Sequence, residues 1–131
     1  QGPCFGAQWW PYPRPDTGSL VQERIDYVYI SHGHHDHLHF GTLQTLPRGF
    51  KVIVSSALDV GPALRERGYE VLEVGPDEQV DLGGMRCRIW PTHGDDTMCL
   101  LEGSDGLVVN ANDALHSAPS AVRQRFIDKL K

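Results

Sequence analysis

Between Ser31 and His37 the chain reads Ser-His-Gly-His-His-Asp-His, which sets His32, His34, Asp36 and His37 in the pattern His-x-His-x-Asp-His. Imidazole nitrogen and carboxylate oxygen are the donors that a borderline-soft divalent cation accepts. Crowded together without a cation, such groups repel or desolvate one another. The plainer alternatives are a solvated histidine tract or a purification-tag remnant. A tag sits at a terminus and lacks an embedded aspartate, so the segment reads as a metal site with a place for two ions. Were it a helix, His32 and Asp36 would share a face and His34 would point elsewhere. In an extended segment leaving a strand, positions 32 and 34 point the same way and can grip one ion together. The apolar run Val28-Tyr29-Ile30 is such a strand. A turn after it would aim Asp36 and His37 at a neighbouring position.

His32-x-His34-x-Asp36-His37 after a hydrophobic strand resembles the signature of the metallo-β-lactamase fold superfamily. The resemblance extends downstream in the same order. Ile89-Trp90-Pro91-Thr92-His93-Gly94 offers a further histidine after a strand-like run, and Leu107 to Asp113 offers an aspartate after another. What the resemblance implies is a first metal held by His32, His34 and His93, a second by Asp36 and His37, and Asp113 bridging the two. Asp36 and Asp113 are then the carboxylates next to the chemistry. Asp95 and Asp96 are rivals for a carboxylate role, but they read as shaping the loop after His93. The N-terminal stretch around Trp9-Trp10, with Ser31-His32 and Thr42-Leu43, is similar to the branch containing CMP-N-acetylneuraminate hydroxylase-like proteins. Trp9 and Trp10 are expected to cover the core.

Two departures stand out. The superfamily supplies a late histidine to the second metal, whereas after Asp113 the chain has only His116, too close to serve as that residue. The superfamily domain is also longer. The expectation is therefore an αββα sandwich of the metallo-β-lactamase type, occupying residues 1–131 and truncated at both ends.

The elements that must position these residues are legible from periodicity and punctuation. Residues 1–16 are a proline- and glycine-rich aromatic lead-in, and Thr17 to Arg24 suggests a short helix. Asp26 to Ile30 reads as a buried strand and His39 to Leu46 as a helix stopped by Pro47. Lys51 to Val54 is a strand, Leu58 to Arg67 an amphipathic helix ending at the capping Gly68, and Glu70 to Val74 another strand. This βαβ alternation predicts a layered α/β unit. Hairpins follow: Val80 to Leu82 with Met85 to Trp90 across Gly83-Gly84, then Thr97 to Glu102 with Leu107 to Asn110 across Gly103-Ser104-Asp105-Gly106. Ala121 to Lys131 reads as a helix. His35 should point away from the ion, Tyr29 into the core, and His39 and His116 outward or into helix caps.

Composition bounds the function. A chain of 131 residues, 40% apolar and 22% charged, suits one domain with a real core. The net charge of −5 gives no basic footprint for nucleic acid or an acidic membrane. Cys4, Cys87 and Cys99 form no disulfide framework, and their odd count fits a reducing cytoplasm. Cys87 and Cys99 read as buried thiols. No Cys-x-x-Cys or Cys-x-His pairing of an iron–sulfur module is present.

A site of this composition holding Zn²⁺, as one or two ions, points to hydrolysis of an ester, amide, thioester or phosphodiester by metal-activated water. Iron or manganese on the same ligands opens oxygen chemistry, as in the hydroxylase-like branch. A metal-binding domain without turnover is the third reading, because the late histidine is missing. The partners expected are a small-molecule substrate and either a second copy or a further domain that completes the fold.

Overall fold

In the computed structural model, residues 18, 22, 24–116 and 118–130 are described. The Trp9-Trp10 lead-in, Cys4 and nearly all of the expected Thr17–Arg24 helix lie outside the described residues. The elements run β1 (Tyr27–Tyr29), α1 (Phe40–Thr45), β2 (Lys51–Ser55), α2 (Gly61–Glu66), β3 (Glu70–Val74), β4 (Val80–Asp81), β5 (Arg86–Pro91), β6 (Thr97–Gly103), β7 (Gly106–Asn110) and α3 (Ser120–Lys129). The first three strands form a parallel sheet in the order β1-β2-β3, and the last four an antiparallel sheet in the order β4-β5-β6-β7.

Side-chain alternation sorts each strand's residues into layers. Along β2, Val52 and Val54 face one way and pack with Leu43 of α1, Leu64 of α2, Ile30, Leu38 and Phe50. Ile53 faces the other way and meets Val74 together with Cys87, Ile89 and Cys99 of the antiparallel sheet. A strand buried on both faces needs a near-continuous apolar run, which Val52-Ile53-Val54 supplies. The antiparallel sheet alternates likewise: Trp90, Met98 and Leu100 turn outward onto Ala114 and Phe126 of the C-terminal segment. Trp90 and Phe126 stack with centroids 6.0 Å apart. The layers are thus helices, parallel sheet, antiparallel sheet and helix, the expected αββα sandwich.

All three helix starts differ from the sequence reading. The helix expected over Leu58–Arg67 begins only at Gly61, because Pro62 occupies its first turn, where its missing N–H is not needed, and residues 56–60 form turns instead. Gly68 does follow its end, at φ +81°, donating to Arg65 O at 2.9 Å. His39 is the N-cap of α1 rather than its first residue, with Nδ1 accepting from Thr42 N at 3.1 Å. The C-terminal helix starts at Ser120, one residue early, after Pro119. Among the described residues no helix is long and apolar enough to cross a membrane.

The two sheets are tied together at one end. Thr97 Oγ1 donates to Ser31 O at 2.7 Å, so its own proton is committed there. The Tyr29 hydroxyl hydrogen is then shared between Thr97 Oγ1 at 2.7 Å and Thr97 O at 2.9 Å. Burial pushes the Tyr29 pKa upward, which keeps it a donor. This joint fixes the end of β1 against the start of β6, where the metal motif leaves the parallel sheet.

Candidate metal centre

Three loops converge at that joint. Residues 31–38 leave the C-terminal end of β1, the end at which layered α/β sheets place their sites. They extend to His32 and then turn, with Leu38 N donating to His34 O at 2.7 Å and His37 N to the same oxygen at 3.0 Å. Residues 92–96 join β5 to β6, closed by Thr92 N and Thr92 Oγ1 on Asp96 O at 2.9 and 3.0 Å. Residues 111–116 follow β7 as a run of turns, with His116 N donating to Asp113 O at 2.8 Å.

His32 is the buried centre of the site, 1% exposed. Its Nδ1 lies 3.0 Å from Ser31 Oγ in hydrogen-bonding geometry. Asp96 Oδ1 approaches the same nitrogen to 2.9 Å, off the hydrogen-bond direction. A carboxylate beside Nδ1 favours the tautomer with its proton there, which leaves Nε2 as a bare lone pair. That Nε2 is buried and has no hydrogen-bond partner among the described residues. An unmatched buried acceptor costs about 1–3 kcal/mol. Burial, and next the nearby His37 ring, lower the His32 pKa, with Asp96 opposing them. The ring is therefore neutral at pH 7 and able to donate its lone pair.

His37 packs against it with ring centroids 4.1 Å apart, and His34 meets it edge-on at 4.5 Å. His37 Nε2 stands 3.0 Å from Asp113 Oδ2 and 3.3 Å from Asp36 Oδ2. Ligand atoms of His32, His37 and Asp113 all fall within 4.8 Å of one another. The structure thus draws one residue from each of the two expected ligand sets to Asp113. Asp36 touches this group through His37 and His34 through His32. His93 is exposed on the loop of residues 92–96 and outside the group. An open cleft of about 360 Å³ is lined by His32, His34, Asp96, Asp113 and His116. A neutral buried nitrogen with no hydrogen-bond partner among the described residues, a second imidazole and nearby carboxylates form a donor set that fits a divalent metal.

Sequence reasoning underrated four residues. Asp96 shapes its loop through its carbonyl, as expected, but its carboxylate also reaches His32. Ser31 and Asn112 contact the histidines, and His116 faces the cleft despite standing too near Asp113 for a late ligand. Position in the chain was the only available signal, since each stands within three residues of a motif residue.

No protein-family profile matches the chain. Solved structures and curated proteins do. The four-layered sandwich with its histidine loop at the end of β1 is the metallo-β-lactamase fold, and the chain's relatives fit that superfamily. Two structures of the β-hydroxylase CmlA, one described as a diiron enzyme from Streptomyces venezuelae and one a mutant, align with a TM-score of 0.70 at 26% identity. They cover 84% of this chain, and 24% of the diiron enzyme's chain and 25% of the mutant's. In sequence, a UPF0173 metal-dependent hydrolase from Anaeromyxobacter sp. (strain K) is 30% identical over 78 residues, 58% of this chain and 28% of the relative. Cytidine monophosphate-N-acetylneuraminic acid hydroxylase from Sus scrofa is 44% identical over 46 residues, 34% of this chain and 11% of the relative. The chain therefore spans between 11% and 28% of these relatives' length. Two of these descriptions name a metal-dependent enzyme, the UPF0173 hydrolase and the diiron β-hydroxylase.

Proposed function

We propose that this cluster binds a divalent metal and serves a hydrolase acting on an ester, amide, thioester or phosphodiester. The observation that carries the metal reading is the buried, partnerless Nε2 of His32 among His37 and Asp113. The similarity to a metal-dependent hydrolase over 78 residues supports the reaction class. His32, His37 and Asp113 would hold the ion, with His34, Asp36 and His93 as the further donors of the motif. Zinc bound there would polarise the substrate oxygen and lower the pKa of a bound water from ~15.7 toward ~7. Asp113, whose side chain is 57% exposed at the cleft, would orient that water and accept its proton at a carboxylate oxygen. The Asp96 carboxylate beside Nδ1 would keep the His32 proton there, and the cleft would take a small-molecule substrate. The absence of a basic footprint disfavours nucleic acid as that substrate.

A second reading, oxygen chemistry at iron, is favoured by the alignment with a diiron hydroxylase over 84% of the chain. Imidazole and carboxylate suit iron as well as zinc. Metal content per chain, measured beside His34→Ala and Asp113→Ala after loading with zinc or ferrous iron, separates the readings. Zinc lost in both variants, with turnover of chromogenic esters or phosphodiesters, supports hydrolysis. Iron retention with oxygen consumption in the presence of a reductant supports the second reading. A wild type that takes up neither metal overturns both.

A further inference from the structure

Asn112 contacts His37 directly and Ser31, the hydroxyl beside His32. Its backbone adopts φ 46°, a left-handed conformation that asparagine tolerates better than most residues. The turn carries its amide back to residues 75 and 81 positions earlier, where Nδ2 lies 3.1 Å from His37 Nδ1 and donates to Ser31 Oγ. An amide N–H can only donate, so His37 Nδ1 accepts and the ring proton sits on Nε2. Asp113 Oδ2 at 3.0 Å and Asp36 Oδ2 at 3.3 Å receive it there. Ligation through His37 Nε2 needs the opposite tautomer.

A primary amide carries an oxygen and an NH₂ at the two ends of one plane, and a half-turn exchanges them within nearly the same volume. With Oδ1 turned inward, Asn112 accepts both the Nδ1 proton of His37 and the hydroxyl proton of Ser31. Ser31 Oγ still accepts from His32 Nδ1, 3.0 Å away. Both rings then carry their proton on Nδ1 and leave Nε2 bare. In this exchange Nε2 releases its proton to solvent and Nδ1 takes one from solvent, so the ring's proton count is unchanged and no redox partner is needed. Asp113 Oδ2 is freed from His37 by the same turn.

We propose that Asn112 is a positioning residue whose amide selects the tautomer of His37, its oxygen facing Ser31 and His37 when a divalent metal is held by Nε2 of His37. This inference rests on the metal reading above. Its test uses ¹⁵N-histidine-labelled protein with and without zinc, read by two-bond ¹H–¹⁵N spectra and by chelator competition. Zinc-loaded wild type should show His32 and His37 protonated at Nδ1. Asn112→Asp, which presents only oxygen, should keep that signature and wild-type zinc affinity. Asn112→Gly, which fits the positive φ without strain, should weaken zinc binding about 10–100-fold, the usual effect of losing a partner that orients a ligand. Equal zinc affinity in Asn112→Gly, or an Nε2 proton on His37 in zinc-loaded wild type, would overturn the role of Asn112 and leave the metal reading standing. A wild type that binds no zinc overturns the metal reading and this inference with it.

Discussion

β2 and β7 are both five residues long, and they treat their side chains in opposite ways. β2 lies at the centre of its sheet with Val52, Ile53, Val54 and Ser55 buried. β7 lies at the edge of the other sheet with every residue exposed, Val108 to 63%. Each region feeds the same cluster. The parallel half, held through β1 and β2, delivers the nitrogen donors His32 and His37 from a packed frame. The antiparallel half delivers oxygen: Asp96 from the loop between β5 and β6, and Asp113 from the turns after the exposed β7. His32 thus comes to the cluster from the buried half, and Asp96 and Asp113 from the half that carries the exposed strand.

That contrast breaks first, and hardest, in the frame. Leu64→Ala removes a fully buried side chain between α2 and β2 and should cost about 2–5 kcal/mol in denaturant unfolding. A smaller loss would mean that the helix layer is looser than its burial implies. Next comes the joint between the halves. Thr97→Val keeps the shape but removes the donor to Ser31 O, and should cost about 1–3 kcal/mol by the same assay. On the oxygen side, Asp96→Asn should leave the melting temperature nearly unchanged while weakening zinc affinity about 10–100-fold, because the carboxylate acts on the ring of His32 rather than on the core. An unchanged affinity there would reduce Asp96 to a loop former.

A gentler probe is pH. The His32 pKa is lowered in the fold, so as pH falls below the ordinary imidazole value of ~6.5 the unfolded chain takes up a proton before the folded one. Stability in the presence of chelator should therefore decline from pH 7 toward the depressed folded value, and His32→Gln should flatten that slope. Superimposable profiles would show that burial of His32 is not coupled to folding. The smallest effect belongs to the exposed strand: Val108→Thr should change stability by no more than about 0.5 kcal/mol.

The layers were legible because each strand carried its own partition: Val52-Ile53-Val54 can only lie buried on both faces, and Cys87, Ile89 and Cys99 alternate with outward residues. The start of α2 was not, because the amphipathic pattern runs back to Leu58 while Pro62 sets where helical bonding begins. Within the site, His32, His37 and Asp113 were visible as a motif, order and residue type. The roles of Ser31, Asp96 and Asn112 were not, because they arise from contacts between loops far apart in sequence, on which local spacing is silent. His93 shows the converse: residue type and order single it out, while the structure leaves it exposed.

The joint formed by Tyr29, Thr97 and Ser31 has a bearing on how the molecule assembles. Its hydrogen bonds close spans of 66 and 68 residues, whereas the β1-β2-β3 sheet is built from neighbouring segments. Chain entropy disfavours long closures until local structure has formed. The parallel half should therefore condense first, and the cluster should exist only after the two sheets meet. Metal added to a refolding chain would then bind as a late phase that follows recovery of the parallel-sheet core, making the ion a reporter of completed folding rather than its nucleus.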